Sequence, residues 1–198
     1  MKRSFPFRTG DGREGVVRPA RAGDARASLR IVEEAMRERP RTLSVLEEEL
    51  WGVRDWRRHT VPWGPNGVTL VAEVAGRVAG QLHCTRSGGS RTRRHVAGFG
   101  ITVARDARGI GVGRALLQAL ETWAREHGVT RVELGVFAGN ERAYGLYRSL
   151  GYIEEGTERR GARFPEGDVD VVRMAKLLDE PAPTTIAPST TTEGERDA

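Results

Sequence analysis

The chain contains a single cysteine, Cys84, among its 198 residues, so it cannot form an intramolecular disulfide. This cysteine lies inside a strand-like run, which predicts a small buried hydrophobic residue rather than a nucleophile. The sequence also lacks an apolar run long enough to cross a bilayer, and no hydrophobic stretch follows its basic N-terminus. These absences predict a soluble, cytoplasmic protein with no membrane partner.

Clusters of basic residues interleaved with aromatic residues are missing as well. The formal net charge is +5, but 27 acidic residues are dispersed among the basic ones, nearly all of which are arginine. The short basic clusters at residues 91–94 and 159–160 contain no aromatic side chain on which a base could stack. We therefore expect no nucleic-acid partner, although a weakly basic protein would attract an anionic cofactor.

The composition divides the chain into three parts. Residues 1–14 are predicted to form a flexible leader, residues 15–178 one folded domain, and residues 179–198, rich in Pro, Thr and charge, a disordered tail. Hydrophobic periodicity predicts four helices. The first covers residues 25–39, and the second runs from a capping box at Ser44 through Trp56. The third ends at His127, and the fourth begins at Asn140. The predicted strands cover residues 15–20, 68–75, 78–85, 95–103, 131–137, 152–157 and 169–177.

A glycine-rich loop, residues 108–113 (RGIGVG), joins the strand that ends at Val103 to an apolar helix. Glycines at such a junction let backbone N–H groups and a helix N-terminus approach a pyrophosphate. A phosphate loop would need a lysine and a hydroxyl where Arg114 and Ala115 stand, and a dinucleotide fingerprint would need glycine in place of Arg114 or Leu116. An R-x-x-G-x-G pattern remains, with a simple flexible turn as the alternative.

A second motif, residues 140–152 (NERAYGLYRSLGY), follows one helix and one strand later. Alone it is typical of an amphipathic helix with an asparagine N-cap and a terminating glycine. Together the two motifs resemble the acetyl-CoA motifs of the GCN5-related N-acetyltransferase (GNAT) superfamily. The resemblance covers residues 16–178, is densest from His95 to Leu177, and is strongest to a bacterial branch that acetylates free amino acids.

The resemblance implies an α/β (α+β) GNAT fold: a mixed, mostly antiparallel sheet of about seven strands, splayed at the fourth and fifth, with about four helices. It implies acetyl-CoA as cosubstrate, no metal, and direct attack by the primary amine of a small molecule such as an amino acid or an amine-bearing antibiotic. A homodimer is expected by family analogy.

The resemblance also assigns residues to the cofactor. Backbone groups of the fourth predicted strand would bind the pantetheine arm and the oxyanion, the glycine loop would bind the pyrophosphate with Arg108 or Arg114 as charge partner, and Asn140 would contact the cofactor arm. The predicted cofactor-binding residues are Ile101, Thr102, Val103, Arg108, Gly109, Ile110, Gly111, Val112, Gly113, Arg114, Asn140 and Tyr147.

Tyr147 matches the family's general acid. A tyrosine with a pKa near ~10 holds a proton at neutral pH that it can give to a thiolate, whose acid has a pKa near ~8.5. Tyr144, one turn earlier, is the less suitable substitute. The base is left unassigned: His95 and Glu133 are the candidates, and deprotonation through water would need neither.

Two other functions are compatible with the motifs. One is acetylation of a protein N-terminus or lysine, and the other is a non-catalytic module that senses acyl-CoA. Tyr147 argues against the sensor, whereas the sequence does not rank the acceptors.

Overall fold

The computed structural model describes residues 3–38, 52–60, 62–87 and 91–179. The predicted capping box at Ser44 and residues 180–198 of the predicted tail lie outside these ranges. The helices and strands are, in chain order, β1 (Phe5–Arg8), β2 (Glu14–Pro19), α1 (Ala25–Met36), α2 (Val53–His59), β3 (Gly67–Val74), β4 (Arg77–Arg86), β5 (Val96–Val103), α3 (Val112–Glu126), β6 (Arg131–Phe137), α4 (Glu141–Ser149), β7 (Ile153–Phe164) and β8 (Gly167–Leu177).

The described strands form one sheet in the order β1-β2-β3-β4-β5-β6-β8-β7. All neighbours are antiparallel except β5 and β6, which are parallel. The pairing of β5 with β6 ends where Gly98 lies opposite Glu133, and beyond this point the two strands separate. The predicted mixed, mostly antiparallel sheet that splays between these two strands is therefore confirmed.

The first strand differs from the sequence prediction. Residues 5–8, expected within a flexible leader, pair with β2 and add an eighth strand to the expected seven. Phe5 stacks on Trp63 with ring centroids 5.7 Å apart. Phe7 covers Gly15 so closely that a Cβ there would lie 2.4 Å from its ring. The two aromatic side chains thus hold this segment against the sheet, a contact that local glycine content does not reveal.

Helix α3 packs on one face of the sheet because its apolar side chains repeat at helical spacing. Leu116, Leu117, Leu120 and Trp123 are all fully buried in the main core. Burying a leucine of this kind contributes about 1.5–3 kcal/mol to stability. Cys84 lies in the same core and is fully buried, as predicted.

Helices α1 and α2 cover the opposite face. Trp56 of α2 donates from Nε1 to Gln81 of β4 at 3.2 Å, so Gln81 and His83 face away from α3. Their register partners in β5, Thr102 and Gly100, lie on the same face. No helix within the described ranges is long and apolar enough to span a bilayer.

A nearly buried ion pair ties α1 to β2. Arg18 donates from Nη1 and Nη2 to the Asp24 carboxylate at 2.8 and 2.9 Å. Asp24 occupies the predicted N-cap position of α1, but its carboxylate accepts from Arg18 and the Arg21 amide rather than from helix amides. The residue therefore fixes the strand-to-helix connection instead of capping the helix.

Candidate active site

A cavity of about 1580 Å³ opens where β5 and β6 separate. Phe99, Ile101 and Val103 line it from the α3 face, whereas Gly100 and Thr102 line it from the α1 face. Residues of α1, α4, β6, β7 and β8 also line the walls. The volume exceeds the ~300–1,000 Å³ of ordinary small-molecule sites, so a long cofactor and a second substrate can share it.

The glycine loop forms one end of this cavity. Gly109 and Gly111 have φ of 78° and 98°, a left-handed conformation that side chains disfavour. Gly113 lies in the first turn of α3, where a Cβ would come within 2.9 Å of Leu146. These glycines permit a tight turn and close packing of α4 on α3, and they leave the first amides of α3 accessible for an anion.

Ile110 and Val112, two of the predicted cofactor-binding residues of the glycine loop, do not line the cavity. Val112 is buried in the core, and the Ile110 carbonyl accepts from the Gly10 amide at 2.9 Å. Gly109, Gly111, Gly113 and the two flanking arginines do line it.

The two arginines of the loop have different partners. Arg108 donates from Nε to the Val103 carbonyl at 3.0 Å and from Nη1 to the Glu38 carboxylate at 2.9 Å. Arg108 therefore joins the segment just after α1 to the end of β5. Arg114 donates to the neutral Ser149 hydroxyl at 2.8 Å and lines the cavity. Arg114 is thus the better placed of the two to accompany a bound phosphate.

Tyr147 projects from α4 into the cavity and is only 6% exposed. Its ring contacts Phe99 and Tyr152, with centroids 5.9 and 5.8 Å away. Burial raises the pKa of Tyr147 well above its usual range, so the hydroxyl stays protonated. Within the described part of the chain no side chain hydrogen-bonds to that hydroxyl. Asn140 begins the same helix, where its Oδ1 accepts from the Ala143 amide at 3.3 Å, and it also lines the cavity.

The edge of β5 that faces β6 supplies backbone groups. Ile101, Thr102 and Val103 lie beyond the last β5–β6 pair at Gly98, so no strand pairs with them on that edge. All three residues line the cavity. Strand N–H groups left free in this way can donate to amides of a ligand or to a developing oxyanion.

Neither base candidate reaches the cavity. His95 precedes β5, where its carbonyl accepts from the amides of Thr130 and Arg131. The Glu133 carboxylate accepts from Arg93 at 2.7 Å and from Arg131 at 3.2 Å. The carboxylates that line the cavity in the described ranges are those of Glu34, Glu38 and Glu141. Glu38 was not among the predicted site residues, because its partner Arg108 is 70 positions away and no motif links the two.

Known proteins resemble the chain in sequence and in fold. Residues 28–152 match the family model described as "Acetyltransferase (GNAT) family". The L-amino acid N-acetyltransferase AaaT of Escherichia coli (strain K12) is 37% identical over 113 residues, which cover 54% of this chain and 67% of that enzyme. The chain spans 52% or less of several other curated relatives.

Solved structures share the fold over most of the chain. A ribosomal-protein-alanine N-acetyltransferase from Brucella melitensis is 31% identical with a TM-score of 0.72, covering 81% of this chain and 98% of that one. The yncA protein of Salmonella typhimurium, determined with acetyl-CoA, has a TM-score of 0.74 at 22% identity over 85% and 96% of the two chains. The similarity to the amino-acid branch is confirmed by AaaT, and the chain belongs to the GNAT family of N-acetyltransferases.

Proposed function

We propose that the chain transfers an acetyl group from acetyl-CoA to the primary amine of a small molecule, with both substrates bound at once. The observation that carries this proposal is the cavity between β5 and β6, which adjoins the N-terminus of α3, the free edge of β5 and the Tyr147 hydroxyl. The similarity to an amino-acid acetyltransferase supports a small acceptor.

The residues present suit acetyl-CoA. The first amides of α3, with Arg114 beside them, would hold the pyrophosphate, because a helix N-terminus and a cation both favour an anion. The free edge of β5 would bind the amide groups of the pantetheine arm, and Asn140 would contact the same arm. Acetyl-CoA supplies the acetyl group as a thioester, which an amine can attack without further activation.

The chain's own groups would then assist bond breaking. Backbone N–H groups of residues 101–103 would donate to the developing oxyanion. As the amine nitrogen bonds to the acetyl carbon and the C–S bond breaks, Tyr147 would give its Oη proton to the departing sulfur, and the proton lost by the amine nitrogen would return to Oη. The raised pKa of Tyr147 keeps the hydroxyl protonated before each transfer. Tyr144 is less suited to this task, since its hydroxyl donates to Glu154 at 2.8 Å outside the cavity.

We assign no base. Glu38, a carboxylate at the cavity, is paired with Arg108, and the predicted candidates His95 and Glu133 lie elsewhere. An amine that reaches the cavity in its neutral form, or loses its proton to water, needs no carboxylate. The rate of transfer should then rise with pH as the neutral fraction of the acceptor amine grows.

A second candidate is acetylation of a protein N-terminus. The similarity to a ribosomal-protein-alanine acetyltransferase favours it, because such an acceptor is also a primary amine. The non-catalytic sensor has no comparable support, since Tyr147 places a protonated hydroxyl in the cavity.

Thiol release from acetyl-CoA by the full chain, measured against free amino acids, polyamines, aminoglycosides and peptides, tests the proposal. We expect release with at least one small amine and formation of its N-acetyl product. Turnover with peptides alone would instead support the second candidate. Tight binding of acetyl-CoA without turnover of any amine would support the sensor.

A further inference from the structure

Arg173 lies in the cavity wall on the side opposite α3. Its register partner in β6 is Gly135, and paired residues of antiparallel strands share a face. Val171 and Phe137 form the next pair on that face, and both also line the cavity. Leu134 and Val136 of β6 lie in the core with α3, and side chains alternate along a strand, so Gly135 and its partner Arg173 lie on the opposite face.

Gly135 leaves room for the Arg173 guanidinium over β6. A Cβ at position 135 would lie 3.0 Å from Arg173 Nη1 and 2.9 Å from Val171 Cγ1. Any side chain at position 135 would therefore displace the guanidinium or the valine. Glycine keeps the charge directly above the β6 backbone, within the cavity.

Glu158 holds one edge of the guanidinium and leaves another edge free. Arg173 donates from Nε to Glu158 Oε1 at 2.8 Å and from Nη2 to Oε2 at 2.9 Å. No acceptor for Nη1 occurs in the part of the chain that the structure describes. Because a guanidinium carries five N–H groups, the Nη1–Nη2 edge can still bind a second carboxylate with two parallel hydrogen bonds.

The arginines at the glycine loop are engaged differently. Arg108 is paired with Glu38, and Arg114 contacts Ser149 on the side of α3 and α4. Arg173 is positioned by Glu158, which does not line the cavity, so the pair fixes the cation without filling the space before it.

We propose that Arg173 binds a carboxylate of the acceptor, so that the acceptors are free amino acids rather than simple amines or peptide N-termini. The inference rests on the proposed function and specifies its substrate class. A carboxylate bound at the Nη1–Nη2 edge would place the neighbouring amine close to the split between β5 and β6. Peptides and amino-acid amides carry no carboxylate at that position.

The test compares free amino acids with their amides in the wild type and in Arg173→Ala, by kcat/KM for N-acetylation. We expect Arg173→Ala to lower kcat/KM for amino acids by about 10- to 100-fold, mainly through KM, because a charge-assisted bidentate contact is lost. The values for amides should not change. Arg173→Lys should recover part of the loss, because lysine keeps the charge without the planar fork.

Arg163→Ala is the matched control. Arg163 lies on β7, next to β8 in the same hairpin, and forms a similar two-point contact with Asp168, at 2.7 and 3.1 Å, but it does not line the cavity. Its loss should leave kcat/KM unchanged for both acceptor classes. Binding of acetyl-CoA should be unchanged in the Arg173 and Arg163 variants.

Three results would overturn the inference: equal losses for amino acids and amides in Arg173→Ala, a wild type that prefers amides or peptides, or weaker acetyl-CoA binding in Arg173→Ala. In the first two cases the wild type still acetylates amines, so the proposed function stands while the assignment of Arg173 fails. A wild type that neither binds acetyl-CoA nor releases thiol would refute the proposed function itself.

Discussion

Tyr147 and Tyr144 lie one helical turn apart on α4 and have different surroundings. Tyr147 is buried against Phe99 and Tyr152 with its hydroxyl at the cavity, whereas Tyr144 is hydrogen-bonded to Glu154 outside it. The motif distinguishes the two tyrosines by position. The structure adds the physical difference, which is burial of the tyrosine that is proposed to donate a proton.

The thiol of Cys84 should be unreactive while the protein is folded. Burial raises the pKa of its thiol to about 12, so almost no thiolate exists at neutral pH. We expect no reaction with a chromogenic disulfide reagent while the protein is folded, and one equivalent after addition of denaturant. Rapid stoichiometric modification of the folded protein would show that β4 exposes this residue.

The affinity for acetyl-CoA should depend on the left-handed backbone conformation within the glycine loop. Gly111→Ala should weaken acetyl-CoA binding by at least about tenfold, because a side chain at φ of 98° costs roughly 1–2 kcal/mol and displaces the amides at the start of α3. Isothermal titration calorimetry measures the change in Kd.

Gly76→Ala is the control for that variant. Gly76 has φ of 74° in the β3–β4 turn, and neither glycine has an atom within 4 Å of an added Cβ. Both variants should therefore lose similar stability, but only Gly111 lines the cavity. Equal acetyl-CoA affinity in the two variants would refute the assignment of the loop.

Local patterns account for the elements that the sequence predicted correctly. The apolar spacing of α3 and the cap at Asn140 act between residues close in the chain, so each can be read from a short window. The β1–β2 pairing, the Arg108–Glu38 contact and the placement of Arg173 over Gly135 depend on strand register and packing. No short window contains such information, and each was found only in the folded chain.

The whole molecule should lose stability in two steps as the pH falls. Burial, with a smaller contribution from the charge of His59, lowers the pKa of His83. The unfolded chain then binds more protons than the folded one below about pH 6.5, so the free energy of unfolding decreases there.

A second loss follows in acid. Desolvation is the largest single influence on Asp24 and would raise its pKa, but the hydrogen bonds from Arg18 and the Arg21 amide, together with the charges of both arginines, outweigh it, so the pKa is lowered. The stabilisation from this pair is therefore present above the unfolded pKa of about 4 and is lost as the pH falls further. Denaturant titrations across pH should show both losses, and His83→Gln should remove only the first. An unchanged profile in His83→Gln would contradict the assignment to His83.

At the scale of the whole molecule, the central feature is the split between β5 and β6, because it connects the face of the sheet covered by α3 and α4 with the face covered by α1 and α2. The glycine loop and Tyr147 lie on the α3 face of the split, and Gly100, Thr102 and Arg173 lie on the opposite face. The proposed sites for acetyl-CoA and for the acceptor carboxylate therefore lie on opposite faces of the sheet and adjoin at the split.

The most direct test is the kcat for N-acetylation of the best acceptor, at saturating acetyl-CoA, in Tyr147→Phe and Tyr144→Phe. We predict that Tyr147→Phe lowers kcat by about 10²- to 10⁴-fold with acetyl-CoA affinity unchanged, because the proton donor is lost while the cavity remains. Tyr144→Phe should retain the wild-type kcat. A Tyr147→Phe enzyme with the wild-type kcat at every pH would contradict the assignment of Tyr147 as the proton donor.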